Sequence, residues 1–177
     1  MNVRLNRELK HYCPDFRPIR RLLRRIDATP RGTRRQVDYF YHLPDGSRRL
    51  KLRVQHGGQT LIYYYDRYGQ KSRSVEFQLF EVRDPQLRKV LETALGVRAV
   101  VRKRRELWMK GATKFHLDRV AGVGQVFEVE IEARRGDGAA RQLARYRELF
   151  GPHLGRAIRG SNEDLVSAHQ RHRPAAG

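Results

Sequence analysis

The sequence predicts a mainly β member of the α+β class, in which eight antiparallel strands close on themselves and helices flank them. Most of the chain alternates apolar and polar residues with period two, the signature of strands with distinct faces. Turn signals, Pro44-Asp45-Gly46 and Gly57-Gly58 being the clearest, join neighbouring runs closely enough for antiparallel pairing. Eight strands with mostly short links suit a closed barrel or a sandwich, and the charged strand faces described below favour the barrel.

Taken in order, the first strand spans residues 2 to 11. Ile19, Leu22, Leu23 and Ile26 then recur at helical spacing, with Pro18 in the first turn and Arg20, Arg21, Arg24 and Arg25 on the other side. Strands follow near 35 to 42, 48 to 56, 59 to 66 and 74 to 82. Asp84-Pro85 opens a second helix that carries Leu87, Val90, Leu91 and Ala94 and is closed by Gly96. Strands at 98 to 109, 112 to 120 and 124 to 134 complete the set. A helix from about Gly138 to Phe150 places Leu143, Tyr146 and Phe150 on one stripe. "SNEDLV" after Gly160 suits a short capped helix. One domain over residues 1 to 167 and a disordered tail over 168 to 177 are expected.

Composition narrows the function classes. The 177 residues include 38 Lys+Arg against 19 Asp+Glu, a formal net charge of +19, and the pI is near 11.1, so polyanions are drawn to the molecule. No run approaches the ~20 apolar residues of a membrane span, and the N-terminus lacks the layout of a secretory signal, so a soluble, cytoplasmic protein is expected. The single cysteine, Cys13, excludes an internal disulfide and a cysteine-based zinc cage, and reads as a bystander.

The strand faces carry the chemistry. In "LKLRV", Lys51 and Arg53 share a face opposite Leu50, Leu52 and Val54; Lys103 and Arg105 align likewise, as do Lys71 and Arg73. Asn6, Glu8 and Lys10 align on the first strand, and Glu128, Glu130 and Glu132 oppose Phe127, Val129 and Ile131 on the last. A single such ladder reads as the wet face of a sheet. Together they suit a barrel that encloses its polar faces, since several converging Lys and Arg groups match a chain of phosphates. Carboxylates on a facing wall suit Mg²⁺ or Mn²⁺, without which they would repel those phosphates.

Four segments then resemble, in order, the motifs of the CYTH or triphosphate tunnel metalloenzyme family, which includes class IV adenylyl cyclases, thiamine triphosphatases and inorganic triphosphatases. "NRELK" resembles the family's Glu-x-Glu-x-Lys strand, with Asn6 in place of the first Glu. "QVDYFYHLPDGSRRLKLR" is similar to its Gln-x-Asp-x-Tyr-Phe and Leu-Arg/Lys-x-Arg strands, and "VVRKRREL" to its Val-x-Lys-x-Arg strand. "FHLDRVAGVGQVFEVE" resembles its Leu-Asp-x-Val-x-Gly-Leu-Gly-x-Phe-x-Glu-x-Glu, with Val123 and Val126 in the Leu and Phe places.

The resemblance implies an eight-stranded antiparallel tunnel that binds a triphosphate with Mg²⁺ or Mn²⁺. By position, Glu8, Glu128 and Glu130 are its metal ligands, and Lys10, Lys51, Arg53, Lys103 and Arg105 hold phosphates, with Lys71 or Arg67 as a further contact. Lys10, Lys103, Glu8 and Glu130 form the catalytic set. Asp118 either positions an internal Lys or Arg or ends a strand, and Glu132 reads as solvated. Trp108 and Tyr63 to Tyr65 read as packing residues rather than a platform for a base.

Three outcomes stay open at this point. Hydrolysis of inorganic triphosphate, ATP or thiamine triphosphate ranks first, because it needs no grip on a base or ribose. The alternatives are an adenylyl cyclase that releases pyrophosphate, and a non-catalytic protein that binds polyphosphate or RNA. No membrane partner is expected; nucleic acid is not the favoured partner, and the family permits a homodimer.

Overall fold

The computed structural model describes residues 4–68, 73–133 and 138–171. Its strands are β1 (Arg4–Tyr12), β2 (Thr29–Tyr41), β3 (Arg48–Gln55), β4 (Gly58–Tyr68), β5 (Arg73–Val82), β6 (Val97–Lys110), β7 (Thr113–Val120) and β8 (Gly124–Ala133). The helices are α1 (Phe16–Arg25), α2 (Leu87–Leu95), α3 (Ala139–Phe150) and α4 (Asn162–Arg171). The strands form one closed antiparallel barrel in the order β1-β5-β4-β3-β2-β6-β7-β8, so the predicted fold class holds.

Closure follows from the sequence. Gly57 and Gly58 take positive φ in the β3–β4 turn, and Gly122 and Gly124 do so between β7 and β8, where a side chain would be strained. β1 then pairs with both β5 and β8, which removes the sheet's two edges.

A two-residue period gives each strand an inner and an outer face. The outward apolar residues Trp108, Phe115, Leu117, Phe127, Val129 and Ile131 meet α1 and α3 in the larger core. There Ile19 and Leu23 of α1 and Leu143 and Phe150 of α3 are almost wholly buried. Phe115 stacks edge-on against Tyr146 and Phe150. Asp15 caps α1 by accepting from the Arg17 amide at 2.9 Å, and Cys13 is buried in the same core.

The second core closes one end of the barrel. Ile158 and Val166 pack on the inward Phe40, Ile62, Tyr64, Val75, Val101, Val120 and Val126. Glu163, with no exposed surface, lies 2.6 Å from Arg98 and 3.3 Å from Arg49, tying α4 to β6 and β3. Burial raises the Glu163 carboxyl above the ordinary range, against the pull of the two arginines.

Three elements depart from expectation. β2 starts at Thr29 rather than 35, pairing with β6 through a register shift between Pro30 and Thr33. Pro30 and Gly32 look like breakers, yet an irregularity absorbs them, with Gly32 at φ 96°. α2 starts at Leu87, because Asp84 accepts from the Gln86 amide in a turn before the helix instead of capping it, and none of the helix residues is buried. α4 continues to Arg171, into the segment expected to be a tail. No helix among the described residues is long and apolar enough to cross a membrane.

Candidate active site

The inward faces of the strands enclose a cavity of about 610 Å³. Asn6, Glu8 and Lys10 enter from β1, Lys51 and Arg53 from β3, Lys103 and Arg105 from β6, and Glu128 and Glu130 from β8. The charged ladders of β1, β3, β6 and β8 therefore face inward rather than into solvent, while the Lys71–Arg73 pair lies outside the described side chains.

Each of these five cations meets a carboxylate. Arg53 donates from Nε and Nη2 to the two oxygens of Asp38, at 2.7 and 2.9 Å, and Lys51 Nζ reaches the same carboxylate at 3.3 Å. Arg105 donates to both oxygens of Asp118, at 2.7 and 2.6 Å, and to Glu128 at 3.0 Å. Lys103 Nζ sits between the two acids, 3.7 Å from Asp38 and 3.6 Å from Asp118. Lys10 Nζ pairs with Glu128 at 2.8 Å.

These contacts set the protonation states. Burial by itself raises the Asp38 carboxyl, but Arg53, Lys51 and Lys103 overcome it and hold it well below the usual range. Asp118 is likewise lowered, its burial outweighed by Arg105 and Lys103. Lys103 goes the other way: burial and the neighbouring Arg105 push its ammonium down to about 7, against the pull of Asp118 and Asp38. Lys51 is lowered by burial too, partly offset by Asp38.

On the opposite wall, ligand atoms of His116, Glu128 and Glu130 lie within 4.8 Å of one another. His116 Nε2 is 3.2 Å from Glu130, and Glu8 pairs in register with Glu130 across β1 and β8. Glu130 is kept ionised because His116, Arg105 and Lys114 outweigh the burial that would raise it. Glu128 is lowered, its burial outweighed mainly by Lys10 while Glu130 repels it. Glu132 is exposed at the strand's end, with Arg4 at 4.0 Å.

Glu8, Lys10, Lys51, Arg53, Lys103, Arg105, Glu128 and Glu130 thus share one cavity. Lys71 lies outside the described residues, and of Arg67 only its place on β4 is described. Asp118 clamps Arg105, which decides between its two sequence readings. Two groups escaped the sequence reading: His116 in the acidic cluster, and Asp38 as anchor of three cations. Lys114, His116 and Asp118 alternate on β7 as the other ladders do, so the same period-two count would have found His116. Trp108 is packing, with Nε1 donating to Glu106 at 2.7 Å.

A barrel with acids and bases interleaved on its inner wall is the setting in which the sequence comparisons gain meaning. The CYTH domain model matches residues 5–158. The chain belongs to the CYTH domain family. No curated protein matches it. The CYTH barrel here resembles the PH1012 protein of Pyrococcus horikoshii, at a TM-score of 0.77 and 22% identity over 90% of this chain and 98% of that one. It also resembles the PH1819 protein of the same organism, at 0.73 and 23% over 92% and 98%. A candidate adenylate cyclase from Vibrio parahaemolyticus matches at 0.68 and 22% over 92% and 98%. At these identities the likeness is one of fold.

Proposed function

We propose that this CYTH protein is a divalent-metal-dependent enzyme that holds a triphosphate inside the barrel and hydrolyses it to phosphate and a diphosphate. The observation that carries the reading is the shared cavity: Lys10, Lys51, Arg53, Lys103 and Arg105 converge on the space that Glu8, Glu128 and Glu130 also face. Cations alone would serve any polyanion, whereas three carboxylates beside the phosphates call for a counter-ion.

The donor set fits a hard divalent cation. Glu128 and Glu130 are held ionised, and the His116 nitrogen adds a donor within reach of both. Glu8, Glu128 and Glu130 would hold Mg²⁺ or Mn²⁺, with His116 beside them. When bound, such an ion supplies Lewis-acid neutralisation of the phosphate oxygens.

The chain's own groups do the positioning. Arg53 and Arg105 are oriented in advance by Asp38 and Asp118, so little reorganisation accompanies the growth of charge on the leaving phosphate. Lys103, poised near neutrality, takes up a proton when phosphate charge arrives beside it. In hydrolysis, water bonds to the terminal phosphorus, the bridging P–O bond breaks, and the electron pair leaves on the diphosphate.

One observation favours a substrate with an organic group, and with it adenylyl cyclase activity as the second reading. Phe77 and Leu79 of β5 and Leu107 and Met109 of β6 line the cavity from strands on opposite sides of the ring. Attack of a ribose 3′-hydroxyl on the α-phosphorus would then release pyrophosphate and a cyclic nucleotide. A product assay on inorganic triphosphate, ATP and thiamine triphosphate, with Mg²⁺ or Mn²⁺, separates the two. Phosphate identifies the hydrolase and cyclic AMP with pyrophosphate the cyclase; tight binding without either product overturns both.

A further inference from the structure

The barrel interior does not account for the charge of the molecule. Inside, Lys10, Arg31, Arg34, Lys51, Arg53, Lys103, Arg105 and Lys114 face Glu8, Asp38, Asp118, Glu128 and Glu130, so the cavity wall holds only a small part of the positive excess. The formal net charge is +19, and among the described residues many arginines stand on the outer face of the barrel, unevenly placed.

On the outer face, Arg35 of β2 lies directly opposite Arg104 of β6, and Arg104 directly opposite Arg119 of β7. All three are exposed, and Arg102, two residues from Arg104 on the same face, is exposed as well. Like charges placed directly across neighbouring strands are destabilising, so such a row is a cost to the fold. Among the described residues none of the four forms an ion pair. The nearest acid on that face of β6, Glu106, is already taken by Arg20, which donates to it from Nε and Nη2, and by the Trp108 indole. Arg119 is held with its guanidinium over the Phe16 ring, 5.5 Å from the centroid.

We propose that this row is a binding surface for the phosphate backbone of double-stranded nucleic acid, separate from the cavity. Three arginines on adjacent strands, spaced by the ~4.8 Å of a sheet, present a line of forked donors suited to phosphates. The aromatic rings beside it, Phe16 and Trp108, are buried, so it offers no platform on which unpaired bases stack; that favours duplex over single strand. The large exposed apolar residues, Leu79, Phe80, Val90 and Val97, lie on β5, α2 and the start of β6, away from the row, which is the wrong arrangement for a lipid surface.

Fluorescence anisotropy with one arbitrary sequence, prepared as duplex DNA, duplex RNA and single strand, tests the proposal across a salt series. The duplexes should bind more tightly than the single strand, with affinity falling linearly on a log–log salt plot. Arg35→Gln/Arg104→Gln/Arg119→Gln should flatten that slope by about 2 to 3, since each phosphate contact contributes roughly 0.9. Saturating inorganic triphosphate should leave duplex binding in place, because the two sites are distinct. A triple variant that binds like the parent, displacement of duplex by triphosphate, or a preference for single strands or anionic vesicles would each overturn the assignment. The variant's thermal melt, expected to rise slightly as the like charges are removed, and its triphosphate binding, expected unchanged, show that any loss of duplex binding is local.

Discussion

Arg105 donates to both oxygens of Asp118 and, with the same Nη2, to Glu128, so one guanidinium joins the cationic and acidic walls of the cavity. Asp118→Asn removes the charge that fixes this group and leaves Arg105 with Glu128 alone. Breaking a buried pair by neutralising one partner costs about 3 kcal/mol. A lowered Tm together with weaker triphosphate binding is the expected result; an unchanged Tm would show the clamp to be dispensable.

Glu130→Gln separates the metal from the fold. If the carboxylate holds the proposed cation, the variant should fold normally by circular dichroism and lose metal-dependent turnover. Full turnover in a folded Glu130→Gln protein would remove Glu130 from the ligand set.

Arg53→Ala should discriminate between ligands. A charge-assisted hydrogen bond contributes about 1.5–3 kcal/mol, so triphosphate affinity should fall by roughly tenfold or more. Monophosphate, too short to span the row of cations, should lose far less in a calorimetric titration. Equal losses would argue against a row of contacts.

Under the proposed function, Lys103 should make triphosphate binding a proton-coupled event. Its ammonium is pushed from 10.5 to about 7 in the fold, so at pH 8 the free protein holds it largely neutral. A bound triphosphate should raise it again, so that calorimetry in buffers of different ionisation enthalpy detects uptake approaching one proton at pH 8. Lys103→Arg, always charged, should abolish the uptake. The same shift carries a stability consequence. Because the folded value lies below the unfolded one, the unfolded chain binds more protons between about pH 7 and 10.5, and this group's contribution to stability rises with pH across that window.

Much of this site is legible in the sequence because a barrel converts a local rule into a global one. Once period two puts Lys51 and Arg53 on one face and Glu128 and Glu130 on another, closure obliges all of them to meet. Partnerships inside the ring are less legible. That Asp38 on β2 anchors cations from both β3 and β6 depends on strand order, which alternation does not encode. His116 stayed hidden because it stands between lysine and aspartate on a strand read for its acid alone. The early half of β2 was missed because Pro30 and Gly32 signal a break that pairing with β6 tolerates. α2 carries an apolar stripe that is only partly covered, Leu87 and Leu91 half-buried and Val90 and Ala94 exposed, since periodicity predicts a face and not a partner.

Ile158 and Val166 pack on the inward residues at one end of the barrel, and Ser161 and Asn162 at the start of α4 line the cavity there, so that end is a floor. Under the proposed function, a linear triphosphate entering from the other end would go in head first, and the depth from lip to floor would act as a gauge of how much chain fits.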